Sequence, residues 1–171
     1  ELTKIQSTSS LALQFLILTA ARTIEVTQCT AEEFDHQRLL WTVPASRMKA
    51  RKEHQVPLSK QCFKIVNTIN HNHKYLFTGL NPEKPLCNNI MGKMMRTTFK
   101  EYSATVHGFR ATFRNWAAET NNYDPYAVEF CLAHQIPNKS EAAYMRTNLL
   151  SKREVIMQDW ADYVCQLKFK K

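Results

Sequence analysis

The sequence has little glycine and lacks the common motifs that bind nucleotides and zinc. It contains 3 glycines in 171 residues, with no G-x-x-x-x-G-K-[ST] loop and no G-x-G-x-x-G turn. An H-E-x-x-H motif and closely paired cysteines are also missing, so a zinc site has no motif. Acidic residues do not cluster with the histidines, which argues against a two-metal nuclease. We therefore expect neither a bound cofactor nor a metal.

Cysteine spacing and the longest apolar run argue against export and membrane insertion. The five cysteines are Cys29, Cys62, Cys87, Cys131 and Cys165. Their wide spacing and odd number are typical of reduced thiols in a cytoplasmic protein. The run LALQFLILTAA is interrupted by Gln14, is too short to span a bilayer, and follows no basic and apolar leader. Because the chain begins at Glu1 without an initiator methionine, we expect a fragment of a longer protein.

The charge balance favours a polyanionic partner. Lys and Arg number 23 against 15 Asp and Glu, which gives a formal net charge of +8. Such an excess favours association with nucleic acid, although a generally basic soluble protein has the same balance. A chain of 171 residues can form one domain with its own core, and we expect residues 1–171 to be that domain.

Apolar periodicity predicts an α+β fold that is mostly α-helical, with a helical core and a small antiparallel β-sheet. The segments LLWTVP and HQVPLS are rich in β-forming residues and predict the two strands of a hairpin. The remaining periodic segments predict helices. These run from Ser9 or Ser10 to Arg22, over 60–70 and 88–102, and onward from His107, Asp124 and Ser151. The pattern leaves open whether the last helix packs in cis or on a neighbouring protomer.

The predicted hairpin carries a cluster of basic residues. The segment SRMKARKEH between the strands contains Arg47, Lys49, Arg51 and Lys52. Most such runs are solvated charge clusters, while a hairpin that enters a DNA groove would have the same composition. Periodicity does not separate these two interpretations.

The stretch from His107 to Tyr144 combines side chains suited to one anion site. His107 and Arg110 stand three residues apart in a run that predicts a helix, so they lie on one face and can share a small anion. His134 lies near the end of the next helix, and Tyr144 follows ten residues later. A tyrosine near a bound phosphate can attack it. Taken singly, such a histidine is more often structural and such a tyrosine half-buried.

Arg22 and Glu25 form a second pair three residues apart. In a helical turn the carboxylate can hold the guanidinium, although a surface ion pair has the same spacing and stabilises little. With a hairpin lysine, all these residues suit phosphoryl transfer without a metal. Guanidiniums can bind the non-bridging oxygens and stabilise transition-state charge, while lysine and histidine move protons.

The chain resembles the tyrosine recombinases, and within them the phage and prophage integrases, over essentially all of its length. ILTAARTIEV is similar to the first arginine box of that family, with Arg22 followed by its acidic neighbour Glu25. RMKARKEHQVPLS resembles the integrase hairpin, HGFRATFRNWA the H-x-x-R box, and LAH the second histidine segment. This resemblance implies six catalytic residues with Glu25 in a supporting role. They are Arg22, Lys49, His107, Arg110, His134 and the nucleophile Tyr144.

The resemblance implies the catalytic domain of a site-specific DNA recombinase that forms a 3′-phosphotyrosine intermediate without metal or ATP. The N-terminal DNA-binding domains usual in the family are absent here, so we expect weak DNA binding by this chain alone. Implied partners are double-stranded attachment sites, a synaptic homotetramer, and accessory DNA-bending and directionality proteins. The implied location is the nucleoid in the cytoplasm of a bacterial host.

Two alternatives are compatible with the same residues. A type IB topoisomerase-like or telomere-resolving enzyme would use this chemistry for another task, and supercoil relaxation without strand exchange would identify it. In a non-catalytic DNA-binding module, the arginines, the lysine and the tyrosine would instead lie further apart than about the breadth of one phosphate. Its DNA affinity would simply fall as the salt concentration rises.

Overall fold

The structure is a computed structural model that describes residues 1–69, 72–120, 122–135 and 147–166. The α-helices in these ranges are α1 (Thr8–Thr19), α2 (Thr23–Thr27), α3 (Lys60–Thr68), α4 (Ile90–Thr98), α5 (Gly108–Thr120), α6 (Pro125–Cys131) and α7 (Leu150–Gln166). The strands are β1 (Phe34–Asp35), β2 (Leu40–Val43) and β3 (His54–Pro57). This architecture confirms the predicted mostly helical α+β fold.

Helix α1 lies at the centre of the larger core cluster because it is apolar on nearly every side. Its buried residues include Leu13, Phe15 and Leu16, and it contacts α2, α3, α4 and α7. The helix begins after Ser7, whose hydroxyl accepts the Ser10 amide at 3.1 Å. It ends at Thr19 because Ala20 has a left-handed backbone with φ of 49°. The predicted start at Ser9 or Ser10 and end at Arg22 are therefore wrong by a few residues.

The three strands form one antiparallel sheet in the order β1, β2, β3. The predicted pairing of β2 with β3 is confirmed, and Val43 lies opposite His54. Trp41 of β2 stacks on Phe34 of β1 with ring centroids 5.9 Å apart and meets the edge of Phe15 at 5.1 Å. This aromatic contact fixes the sheet against α1 and holds the β2–β3 connection beside the end of that helix.

A second core cluster joins α5, α6 and α7. Phe113 and Trp116 of α5 lie against Trp160 of α7, at centroid distances of 5.5 and 5.2 Å. The Trp160 indole N–H donates to the Ile17 carbonyl at 2.8 Å, which connects this cluster to α1. Helix α6 begins after Asp124, whose carboxylate accepts the amides of its first turn, as the sequence predicts.

The described part of the last helix packs on its own chain. Helix α7 contacts α1, α3, α5, α6 and β3. At the contact with α3, Gln61 donates to Asp162 at 2.6 Å and Gln158 donates to the side-chain oxygen of Gln61 at 3.1 Å. Within the described ranges, no helix has the length and apolar character needed to cross a membrane.

Candidate active site

Side chains from four separate segments line one open cleft of about 710 Å³. Five of the residues predicted from the sequence lie on its walls: Arg22, Lys49, His107, Arg110 and His134. They come from the start of α2, the β2–β3 connection, α5 with the residue before it, and the turn after α6. The sixth, Tyr144, lies outside the described residues.

Arg22 is held by Glu25 through both its backbone and its side chain. As the N-cap of α2, Arg22 donates its amide to one Glu25 carboxylate oxygen at 2.8 Å. Its guanidinium donates to the other oxygen, also at 2.8 Å. The Glu25 side chain is 3% exposed and that of Arg22 is 26% exposed, so the carboxylate is buried while the guanidinium reaches the cleft. This geometry lets Glu25 orient Arg22 without occupying the face that a ligand would use.

Arg110 is a buried guanidinium held by backbone carbonyls. It is 6% exposed and donates to the carbonyl oxygens of Ala20 and Leu132, the latter at 2.7 Å. Burial, with the nearby charge of Arg22, lowers its pKa to about 10, and Glu25 acts in the opposite direction. Arg110 therefore stays charged at neutral pH without an ion pair of its own in the described structure. An anion in the cleft would stabilise this charge.

His134 is oriented by Glu129 and faces Arg110. Ala133 has a left-handed backbone with φ of 51°, which turns the chain back so that the His134 amide donates to the Glu129 carbonyl at 3.0 Å. The ring Nδ1 lies 2.5 Å from a Glu129 carboxylate oxygen, and Nε2 lies 3.4 Å from Nη2 of Arg110. A guanidinium only donates, so this arrangement assigns the ring proton to Nδ1. The Nε2 atom is then the acceptor that faces Arg110.

The sequence reasoning missed Arg114 and Glu129. Arg114 lines the cleft and donates to Glu129 at 2.8 Å. Burial raises the pKa of Glu129, but hydrogen bonds from His134 and Arg114 outweigh it and hold that pKa below its ordinary value. Arg114 stands four residues after Arg110 on the same helix, a spacing that would have identified it. Glu129 had no comparable signal, because its partners meet it only in the folded chain.

Lys49 and His107 are exposed at the rim of the cleft. Lys49 follows the 3-10 turn Ala45–Arg47 in the connection between β2 and β3. Arg47 differs from the other basic residues of this hairpin, since its side chain is 9% exposed and bonds to Glu33 and to the Gln28 carbonyl. Arg47 thus fixes the base of the connection, and Lys49, Arg51 and Lys52 remain exposed.

The arrangement is suited to binding a phosphate group. Three guanidiniums, one ammonium and two imidazoles line the walls, and the carboxylates of Glu25 and Glu129 are already engaged by cleft residues. Fixed donors around an open cleft can stabilise charge that develops on phosphate oxygens. Among the described residues, no group of His, Cys, Asp and Glu is arranged to hold a metal ion.

Comparison with protein families gives one match that covers most of the chain. Residues 2–149 match the model described as the phage integrase family. The chain is 35% identical over 156 residues to the prophage integrase IntZ of Escherichia coli strain K12, an alignment that covers 90% of this chain and 39% of that protein. The chain therefore spans less than half the length of this relative.

Solved structures of low sequence identity have the same fold. The integrase from mycobacterium phage Brujita matches with a TM-score of 0.70 at 16% identity, over 92% of this chain and 53% of that one. The integrase of the Tn1549 transposon, solved in complex with a circular intermediate DNA, matches with a TM-score of 0.60 at 15% identity. That alignment covers 82% of this chain and 56% of the transposon integrase.

Proposed function

The chain belongs to the phage integrase family, and on this premise we propose that residues 1–171 are the catalytic domain of a site-specific DNA recombinase. The observation that carries the proposal is the cleft itself. Arg22, Lys49 and Arg110 are far apart in sequence but line one cavity, together with His107 and His134. This convergence favours catalysis over a binding module whose cations are spread along a surface.

The reaction begins when the hydroxyl oxygen of Tyr144 attacks a backbone phosphorus of DNA. A P–O bond to tyrosine forms, the bond to the 5′ oxygen breaks, and the DNA keeps a 3′-phosphotyrosine link. Arg22 and Arg110 bind the non-bridging oxygens and stabilise the added charge. Lys49 protonates the leaving 5′ oxygen, which becomes a hydroxyl.

The histidines and Glu25 assist this step. His134, with its Nδ1 proton directed at Glu129, has a free lone pair on Nε2 that can accept the tyrosine proton. His107 can hydrogen-bond the phosphate. Glu25 keeps Arg22 oriented. The 5′-hydroxyl of a partner strand then attacks the phosphotyrosine. This attack releases Tyr144 and joins the two DNA strands. Because each step exchanges one phosphate ester for another, the reaction needs neither ATP nor a metal ion.

Double-stranded attachment sites are the proposed substrate. The net charge of +8 and the exposed cations Lys49, Arg51 and Lys52 support a DNA partner, and a structural neighbour was solved with DNA. Exchange between two duplexes calls for a synaptic homotetramer. Accessory DNA-bending and directionality proteins are the further partners proposed. The proposed location is the nucleoid in the cytoplasm of a bacterial host.

A suicide substrate tests the proposal directly. A nicked duplex that carries a candidate core site loses the short 5′-hydroxyl fragment after cleavage, so the covalent adduct accumulates. We expect an adduct with the wild-type chain and none with Tyr144→Phe, which should still bind the duplex. An adduct that persists in Tyr144→Phe, or relaxation of supercoils without strand exchange, would contradict the proposal.

A further inference from the structure

Arg47 is a largely buried guanidinium two residues before Lys49. Its side chain is 9% exposed, whereas Lys49 is exposed at the rim of the cleft. One terminal nitrogen of Arg47 donates to the Gln28 carbonyl, and the other donates to the carboxylate of Glu33. A guanidinium presents its donors in a rigid planar fork, so a bridge between two fixed acceptors also restrains the backbone that carries it.

Glu33 is itself fixed by donors on both carboxylate oxygens. The oxygen that accepts from Arg47 also accepts the indole N–H of Trp41 at 2.9 Å. The other oxygen accepts from the amide and the hydroxyl of Thr30, both at 3.2 Å. Trp41 is fully buried in β2, within the core cluster built on α1. The acidic partner of Arg47 is therefore anchored to the core of the domain.

Gln28, the other acceptor, connects the hairpin to the helix that begins at Arg22. Arg22 is the N-cap of α2 and Gln28 is its C-cap. Glu25 holds Arg22 at the first end of this helix, and Arg47 binds the carbonyl at the second end. Because α2 is only five residues long, the bridge fixes the hairpin relative to the helix that carries Arg22.

The short segment from Arg47 to Lys49 is held as well. Met48 lies between them, is 5% exposed, and belongs to the core cluster of α1. Its amide donates to the Ala45 carbonyl at 3.2 Å, and its carbonyl accepts the Arg51 amide at 3.0 Å. The backbone is thus anchored on both sides of Lys49, whose side chain reaches the cleft from this turn.

We propose that Arg47 is a positioning residue for the general acid, because its bridge between Glu33 and Gln28 holds Lys49 beside Arg22. The inference rests on the proposed function and adds a residue to it. A proton donor acts only within hydrogen-bond reach of the atom that it protonates, so a displacement of about 1 Å slows the step. The competing explanation is that Arg47 only stabilises the fold, in which case its loss would slow cleavage whatever the leaving group.

A substrate whose leaving group needs no proton separates these explanations. In this version of the suicide duplex, sulfur replaces the bridging 5′ oxygen of the scissile phosphate. Attack by Tyr144 forms the same P–O bond and breaks the P–S bond, and the sulfur leaves as a thiolate with the bonding electron pair. Since the pKa of a thiol is only about 8.5, this step does not require the Lys49 proton.

Arg47→Met removes the bridge and keeps an apolar stem. With the oxygen substrate, we expect the rate of adduct formation to fall about tenfold in Arg47→Met and about a hundredfold in Lys49→Ala. With the sulfur substrate, both variants should stay within about threefold of wild type. Arg38→Met, at an exposed arginine between β1 and β2, is the matched control and should leave both rates unchanged. An equal loss on both substrates, or no loss on the oxygen substrate, would overturn the proposal.

Glu33→Gln provides a second variant in case Arg47→Met does not fold. The amide keeps the shape of the side chain but has no charge to hold Arg47, so we expect the same selective loss on the oxygen substrate. Glu32→Gln is its control, because the neighbouring Glu32 is exposed. Equal rates for Glu33→Gln and Glu32→Gln on the oxygen substrate would contradict a role for the bridge.

Amide hydrogen exchange tests the bridge without any recombination. The amides of Met48 and Arg51 donate within the β2–β3 connection, and their exchange should become about tenfold faster in Arg47→Met, while amides of α7 keep their wild-type rates. Unchanged exchange at Met48 and Arg51, or faster exchange throughout α7, would refute the positioning role even if adducts form. Faster exchange confined to the connection, with no wild-type adduct on either substrate, would refute the proposed function alone.

Discussion

Glu129 accepts hydrogen bonds from two cleft residues and so determines how His134 is presented. One oxygen lies 2.5 Å from His134 Nδ1, and the other accepts from Arg114 at 2.8 Å. The contact with His134 depends on the turn at Ala133, where the left-handed backbone returns His134 to the end of α6. The histidine is therefore fixed in ring orientation and in the nitrogen that carries its proton.

Replacing Glu129 by Gln should slow DNA cleavage while leaving DNA binding nearly unchanged. The amide keeps the shape of the side chain but removes the charge that holds His134 and Arg114. We expect the rate of adduct formation on the suicide substrate to fall about tenfold. Glu119→Gln is the matched control, since Glu119 is an exposed acid on α5. A Glu129→Gln rate equal to that of the control would show that the orientation of His134 is unimportant.

At the scale of secondary-structure elements, helix caps and strands were predictable where a short sequence segment identifies them. Ser59 caps α3 and Asp124 caps α6, as the sequence indicates. The end of α1 was not predictable, because the left-handed residue there is Ala20 and not the glycine that usually occupies such a position. The two-residue strand β1 was too short to have an alternating pattern of its own.

The same distinction applies to the cleft. Arg22, Lys49, His107, Arg110 and His134 were found by spacing and by resemblance, because each belongs to a short recognisable segment. Their convergence in one cavity is a structural finding. Glu129 was not identified, because its contact with Arg114 joins α6 to α5 and its contact with His134 requires the left-handed turn at Ala133.

The cap of α1 gives a prediction at this scale. Ser7→Ala removes the hydroxyl that accepts the Ser10 amide, so the free energy of unfolding should fall by about 1 kcal/mol. Ser9→Ala, at one of the two positions that the sequence suggested for the cap, lies inside the helix and should change stability by less than about 0.5 kcal/mol. Urea denaturation of both variants measures the difference. Equal losses in the two variants would contradict the observed start of the helix.

For the whole molecule, the cleft lies where the two core clusters meet. Ala21, beside Arg22, belongs to the cluster built on α1 and the sheet, while Ala20 and Leu132, which bond Arg110, belong to the cluster of α5, α6 and α7. Trp160 connects the two clusters through its bond to Ile17. The rigidity of the cleft therefore depends on the packing of both clusters, and its access to the proposed DNA partner depends on the surface charge around it.

The exposed cations of the hairpin should set how strongly that surface binds DNA. Arg51 and Lys52 lie in the same connection as Lys49 and are exposed, so we expect them to contact phosphates beside the cleft. Each contact that is lost should reduce the slope of log affinity against log salt by about 0.9. The double variant Arg51→Ala, Lys52→Ala, measured by anisotropy in a Tyr144→Phe background, should therefore show a slope lower by about 2. Lys84→Ala is the control for a general loss of charge, because Lys84 is an exposed loop residue outside the hairpin. If the double variant Arg51→Ala, Lys52→Ala leaves the slope unchanged, Arg51 and Lys52 belong to a solvated charge cluster, and the proposed DNA contact is confined to the cleft.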